Sequence, residues 1–431
     1  MYEINEKLDA LERDGKPIGI GLIGTGQMGK DIIAQIGKMR GMRMRVAVDL
    51  DAQTAYDAYR YSDRRDDIVV TADPAEAEHA LKDGKSIATD NYKLAIQPEA
   101  IHSVIDATGS PEMGARIALD CVFHHKHIVM MNVECDATIG PFLRKMFDRA
   151  GIVYSLTAGD EPGAIVELWR FAKALGFNVV AAGKGKNNPL DIYANPGQSE
   201  WIEKARARDM NPQMLVEFVD GSKTMIEMAA VSNATGLRPD VRGMHGPHCN
   251  VNELTRIFSE RSQGGILLRS GVVDYGIGDI HPGVFVIVTT DNQRIIDGLV
   301  QRDMGNGPNY LLYRPYHLCS IETPLTAAQA VIYGESTARP LQRLTSECLA
   351  IAKKDLTSGQ VLDGIGGYCY RASIDCYDTA EAERALPVGL AKNALLIRDI
   401  QKDCVITFDD VKLPEDSVLL QLRRIQQTML K

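Results

Sequence analysis

The chain has no run of about eighteen consecutive apolar residues, so no membrane span is expected. Its N-terminus, MYEINEKLDALERDGKP, is charged and helix-like and lacks the apolar stretch of a secretory leader. Eight cysteines are scattered along the chain, and none forms a C-x-x-C pair. That argues against a zinc knuckle or a thioredoxin-type motif, and such sparse usage fits a reducing, cytoplasmic compartment. A long basic run is also missing, and the formal net charge is −9. Neither nucleic acid nor an anionic membrane is therefore expected as a partner. Internal repeats and low-complexity segments are absent too. What remains has the balance of a folded globular protein, 45% hydrophobic and 24% charged. At 431 residues it is too long for one core, so two or three domains are expected.

Residues 1–16 read as a short amphipathic helix closed by Gly15 and Pro17. The apolar run 18–23 (IGIGLI) ends in glycine, residues 27–39 follow with helical spacing, and 44–48 (MRVAV) close on Asp49. Strand, glycine turn, helix and strand make a βαβ unit. Strands over 103–107, 127–131 and 152–157, with helices over 112–122 and 138–150, extend the alternation. The stretch 51–102 has room for an inserted strand and helix. This predicts a mostly parallel, doubly wound sheet, an N-terminal Rossmann domain over 1–158. Residues 159–335 read as an α+β central catalytic domain. It has a helix over 163–176, a strand over 178–182, a strand plus helix over 213–236 and a strand over 283–290. Its last helix, 323–334, returns to the nucleotide domain. Residues 336–431 alternate strands with Gly and Asp turns, as a small β-rich domain does. The fold class expected is α/β with these three parts.

Gly24, Thr25, Gly26, Gln27, Met28 and Gly29 spell G-x-G-x-x-G between that first strand and first long helix. The first glycine permits a tight turn, the second lets a pyrophosphate approach the backbone, and the third lets helix and strand pack closely. The helix start supplies free N–H groups and a positive dipole end. With strand, helix and second strand all in place, a nicotinamide dinucleotide is the expected ligand. Asp49 ends the second strand, where a carboxylate accepts from the adenine ribose and favours NAD. Arg43, Arg45, Arg60, Arg64 and Arg65 lie near enough in sequence for one to clamp a 2′-phosphate, so residue type alone leaves NAD and NADP open. Thr108, Gly109 and Ser110 close a later strand at the same carboxyl edge, and Asn132 ends the next one. The nicotinamide half is expected there.

Hydride transfer needs alignment, plus a proton donor or cation at the carbonyl that becomes an alkoxide. Three loops after apolar strands offer such groups. The first carries Glu134, the second Asp160 and Glu161, and the third, GKGKNNP, carries Lys184, Lys186, Asn187 and Asn188. The three carboxylates could hold Mg²⁺ or Mn²⁺, act as a base, partner a lysine or cap a helix. A desolvated lysine loses basicity and becomes a usable acid. An exposed basic loop is the plainer reading of the two lysines. In VRGMHGPHCN, His245 and His248 are candidates to bind substrate phosphate or donate protons, with glycines beside them that allow close backbone approach. A structured turn is the alternative. His124, His125 and His127 fall at the opposite edge and read as surface residues.

Together the Rossmann start, ATGSP, NVECDATIGPFL, TAGDEPGAI and GKGKNNP resemble the homoserine-dehydrogenase-like oxidoreductases. The tail, with LIRDIQKDCVITFDDV, looks like a SAF domain. Over essentially the whole chain this combination resembles the deoxyxylulose 5-phosphate reductoisomerase-like enzymes. The resemblance implies conversion of 1-deoxy-D-xylulose 5-phosphate to 2-C-methyl-D-erythritol 4-phosphate, an isoprenoid precursor, with NADPH, NADH remaining open. On that reading Lys184 or Lys186 is the carbonyl-facing acid. Glu134, Asp160 and Glu161 serve proton transfer or metal. Asn187, Asn188, Arg242 and His245 grip a small phosphorylated sugar. A homoserine-type dehydrogenase acting on a small hydroxy or carbonyl metabolite is the rival enzyme. A nucleotide sensor without chemistry is the rival from another class, disfavoured by the lysines and carboxylates kept in glycine-rich segments. A homodimer is expected, since symmetric dimers are the commonest soluble oligomers.

Overall fold

An unbroken apolar stretch needs cover on both faces, and Ile18–Ile23, strand β1, is buried at all six positions. The computed structural model describes residues 3–64, 67–187, 189–208 and 210–429. Along the chain run α1 (Ile4–Arg13), β1, α2 (Gln27–Lys38), β2 (Met42–Val48), α3 (Ala52–Ala58), β3 (Ile68–Val70), α4 (Pro74–Lys82), β4 (Ser86–Thr89), β5 (Ser103–Asp106), α5 (Pro111–Phe123), β6 (His127–Met130), α6 (Val133–Ala150), β7 (Tyr154–Leu156) and α7 (Glu161–Ala174). Next come β8 (Asn178–Lys186), α8 (Ser199–Ala207), α9 (Pro212–Val219), α10 (Ser222–Thr235), β9 (Arg238–Pro239), α11 (Leu254–Ile257), β10 (Val272–Ile277), β11 (Val284–Thr289), α12 (Gln293–Val300), β12 (Asn309–Arg314) and α13 (Cys319–Tyr333). The last stretch holds β13 (Ser346–Ala352), β14 (Tyr370–Cys376), α14 (Tyr377–Ala382), α15 (Val388–Ala391), β15 (Leu395–Leu396), β16 (Val411–Lys412) and α16 (Val418–Met429).

The chain divides into two compact units, Met1–Gly163 with Leu318–Gln342, and Ala164–His317 with Arg343–Lys431. The first is built on a seven-stranded sheet in the order β3-β4-β2-β1-β5-β6-β7, with every pair parallel. It is the Rossmann-like sheet expected. The chain leaves β1 to either side, toward β2 and toward β5, and that reversal opens a crevice at the carboxyl ends of β1 and β5. Helix α13 returns to this unit: Ala327 and Ala328 join the core formed by Ile32, Ile33, Ile36 and Val129. The stretch 51–102 carries two helices and two strands (α3, β3, α4 and β4), more than the single insertion expected.

Helix α6 begins at Val133, five residues before the start read from sequence. Asn132 caps it by accepting from the Cys135 N–H, and twelve of its residues are buried. Those two gains carry the helix through Pro141, which removes one of its hydrogen bonds. Glu134 and Asp136 therefore lie in a helical first turn and not in a loop. Asp136 is fully buried, and burial pushes its carboxyl up to about 7. One oxygen accepts from the Tyr154 hydroxyl at 2.8 Å, while Oδ2 has no hydrogen-bond partner among the described residues. Its ionisation opposes folding, so stability from this group is lost as pH rises from the ordinary carboxylate range through about 7. Asp136→Asn removes that loss. Calorimetric melting should show the variant more stable than the parent at pH 8, by up to about 4 kcal/mol, with the gap closing at pH 4–5. Equal melting at both pH values contradicts this.

The second unit centres on a five-stranded mixed sheet in the order β12-β11-β8-β10-β9. Strand β8 pairs parallel with β10 and antiparallel with β11. Residues 213–236 are two helices and not a strand plus helix. Asn211 caps α9, Pro212 occupies its first position, and Gly221 at φ 85° separates it from α10. Residues Arg343–Lys431 fall in the same compact unit as Ala164–His317. Its strands β13 and β14 pair antiparallel beside α10. Asn233 Oδ1 accepts from the Thr345 and Ser346 N–H groups, and Ser222 Oγ accepts from the Ala372 N–H. No helix among the described residues is long and apolar enough to cross a membrane.

Candidate active site

In the first unit the glycine turn has the geometry its spelling implies. Gly24 sits at φ 99°, and a Cβ there would meet the Ala107 carbonyl at 2.6 Å. A Cβ on Gly29 would meet the Gly24 carbonyl at 2.2 Å, so helix and turn touch through that missing side chain. Gly26, the N-cap of α2, is different: a Cβ there meets nothing within 4 Å. That open space lies at a helix start whose first turn holds no acidic residue. Gln27 and Met28, next in line, are exposed. The residues fit a pyrophosphate held by backbone N–H groups.

Thr25 is buried and tied to Asp49, whose Oδ2 accepts from its N–H at 2.8 Å and its hydroxyl at 2.7 Å. Asp49 Oδ1 accepts from the Leu50 N–H. The carboxylate thus fixes the turn. The nearby arginines are engaged elsewhere. Arg43 pairs with Glu12, pulling that carboxyl down to about 2. Arg45 donates to the Gly84 and Leu81 carbonyls, and Arg64 to those of Gly37 and Met39. Arg60 donates to the Tyr61 hydroxyl, and Arg65 lies outside the described residues. The NADPH that the resemblance implies therefore finds no ready arginine clamp among the described residues.

At the end of β5, Asp106 is fully buried and pushed up to about 6 by that burial. Its Oδ1 accepts from the N–H and hydroxyl of Thr108. The Asn132 amide donates to Asp106 Oδ2 and to the Ser110 carbonyl at 2.8 Å. Asn132 thus shapes the Thr108, Gly109 and Ser110 turn through its side chain. Glu134 is buried in the first turn of α6. Asp160 and Glu161 are buried where β7 gives way to α7, and Cys319 Sγ donates to Asp160 Oδ1 at 3.3 Å. Of the three histidines, His124 and His125 are exposed. His127 is half-buried and accepts from the Val153 N–H.

In the second unit the segment read as a glycine-rich loop is strand. Strand β8 runs through Lys186, and Lys184 and Lys186 are about 95% buried. The intervening glycines explain the misreading. A Cβ on Gly183 would meet the Asp274 carbonyl at 1.9 Å, and one on Gly185 the His281 N at 2.2 Å. These glycines admit neighbouring backbone on one face of β8, while the lysines take the other. Lys184 forms an ion pair with Glu227 of α10. Lys186 donates to the Phe218 carbonyl at 2.6 Å. Burial, with the like charge of Lys184, pulls the Lys186 ammonium down to about 8, against the pull of Asp220 and Glu227. Asn187 follows, exposed, and Asn188 lies outside the described residues.

The loop after β9 lines the free edge of β10: Cys249 N–H donates to the Ile277 carbonyl and Ile277 N–H to that of Pro247. Its His245 is held at both ends. The N–H groups of His245 and Gly246 donate to the buried Asp274 carboxylate, and the imidazole Nε2 lies 2.9 Å from Asp240 Oδ2. Arg242 points elsewhere, paired at 2.7 Å with both Asp375 and Glu383, and His248 is exposed. Three buried carboxylates that contact Lys184 and His245 went unread in the sequence: Glu227, Asp240 and Asp274. Glu227 had a signal, since it is a lone acid inside the apolar stretch MIEMAAV.

A family model described as the catalytic domain of oxidoreductase DRL matches residues 159–323, less than half of the chain. No curated protein matches. Among solved structures, a probable dehydrogenase from Thermotoga maritima is similar at 11% identity, over 74% of this chain and 90% of that one, with a TM-score of 0.40. GenD2 from gentamicin A biosynthesis, solved in complex with NAD, is 12% identical over 76% and 89%, with a TM-score of 0.36. A levoglucosan dehydrogenase solved with NADH and levoglucosan is 15% identical over 64% of each chain, at 0.28. The family match, joined to the glycine turn on a parallel sheet, makes this chain an NAD(P)H-dependent oxidoreductase.

Proposed function

We propose that the protein is a reductoisomerase that takes an α-hydroxy ketone phosphate, 1-deoxy-D-xylulose 5-phosphate, to 2-C-methyl-D-erythritol 4-phosphate. One observation carries this reading: two buried lysines share a face of β8 within the matched segment, one locked in an ion pair and the other lowered toward neutrality. Rearrangement of the carbon skeleton yields an aldehyde, and its reduction needs one hydride and one proton. The bound nicotinamide supplies the hydride. Lys186, protonated at pH 7 yet weakened as a base, gives its proton to the forming alkoxide. Lys184, paired with Glu227, faces the negative charge that builds on the substrate oxygens. His245, oriented by Asp240, faces the phosphate. Asp160 and Glu161 offer the oxygen ligands that Mg²⁺ or Mn²⁺ takes.

A dehydrogenase acting on an unphosphorylated hydroxy or carbonyl metabolite is the second reading. It is favoured by the engagement of Arg242 with Asp375 and Glu383, which removes the strongest phosphate-binding cation from the loop. Incubation with NADH or NADPH, Mg²⁺ or Mn²⁺, and either deoxyxylulose phosphate or aspartate semialdehyde separates the two. Loss of reduced-nicotinamide absorbance with the ketose phosphate is expected. Oxidation with the semialdehyde alone would remove the reductoisomerase reading.

A further inference from the structure

The last turn of α9 holds Lys186, and the turn that follows it holds the C-terminal segment. The Phe218 carbonyl accepts from Lys186 at 2.6 Å. Two residues on, Asp220 Oδ1 accepts from the Ser222 N–H at 2.8 Å, which fixes the turn around Gly221. Asp220 Oδ2 pairs at 2.7 Å with Lys353, at the end of β13. Lys353 also donates to the Ala194 carbonyl at 2.7 Å and the Gly367 carbonyl at 2.9 Å. Asp220 is 2% exposed and Lys353 5%. Two charges are thus sealed together, which costs desolvation energy that a solvated pair would not incur. A purely structural join between these segments already exists without them, through Asn233 with Thr345 and Ser346, and Ser222 with Ala372.

We infer that Asp220 is a positioning residue for Lys186, and that Lys353 of the C-terminal segment holds it in that role. The inference rests on the reading of Lys186 as proton donor. Through this carboxylate the C-terminal segment acts on the chemistry as a working part of the site. Among the described residues, the charged groups that act on Lys186 are Lys184 on β8, Asp220 on the turn and Glu227 on α10. Of the anions, Asp220 is the larger influence that favours the ammonium, ahead of Glu227. Replacing it by a neutral isostere leaves Lys186 with less support for its charge.

The test is a carbon-13 NMR titration of lysine-labelled full-length protein, with the Lys186 signal identified by Lys186→Arg. The parent midpoint is expected at about 8, and Asp220→Asn should lower it by about one unit. The double variant Asp220→Asn/Lys353→Met leaves no unpaired charge in the turn. It keeps the test open if the single variant does not fold, and it should show the same fall. The basic limb of kcat against pH should move with the midpoint. A folded variant whose Lys186 still titrates at the parent value overturns the inference. A shifted midpoint with an unmoved kcat profile instead removes Lys186 from the chemistry and leaves Asp220 as the group that sets its charge.

Discussion

Lys186→Met is expected to lower kcat by roughly a hundred- to ten-thousand-fold, the range for loss of a positioned general acid. KM and nucleotide affinity should hold. The reason is local. Lys186 is buried, shares its face with Lys184, and donates to the Phe218 carbonyl. Its ammonium at about 8 is the protonated donor at neutral pH and is lost as pH rises through that value, so kcat in the parent should fall on the basic side there. Lys184→Met gives the control. It breaks the buried pair with Glu227, and loss of one partner from such a pair costs about 3–5 kcal/mol. That variant should melt early, whereas Lys186→Met should melt near the parent. Parent-like turnover by Lys186→Met at pH 7 would take the proton-donor role away from it.

Gly26→Val is expected to weaken nicotinamide nucleotide binding by about a hundredfold, or about 3 kcal/mol, with little change in melting temperature. A Cβ at Gly26 meets nothing within 4 Å, so the fold should tolerate a side chain there and a bound pyrophosphate should not. Gly24→Ala should behave oppositely. Its φ of 99° and the Ala107 carbonyl at 2.6 Å oppose any Cβ, so it should lose stability first. Equilibrium titration and thermal melting on the pair check both. Undiminished affinity in Gly26→Val would place the nucleotide elsewhere.

The glycine turn was legible because every determinant is local: three glycines, one strand and one helix within the span 18–38. The parallel sheet was legible for a similar reason, since fully buried strands are continuous apolar runs. Sites that depend on distant partners were not. GKGK reads as a loop until Asp274 and His281, about ninety residues later, are seen to occupy the space their Cβ atoms would fill. Arg242 reads as a phosphate ligand until Asp375 and Glu383 claim it. Asp220 and Lys353 are ordinary surface residue types, and only the packing of α10 against β13 and β14 makes them a buried pair. The start of α6 lies earlier than the 138 read from sequence because the Asn132 cap and tertiary burial carry the helix through Pro141.

Calorimetric titration of the unsubstituted protein with NADH and then NADPH bears most directly on the whole reading. With Asp49 fixed against Thr25 and Arg43, Arg45 and Arg64 held by other partners, one nucleotide should bind per chain, NADH at least as tightly as NADPH, and Gly26→Val should abolish most of the heat. No heat with either nucleotide, or the same heat from the valine variant, would leave the turn at 24–29 without its ligand and the lysines without a hydride to complete.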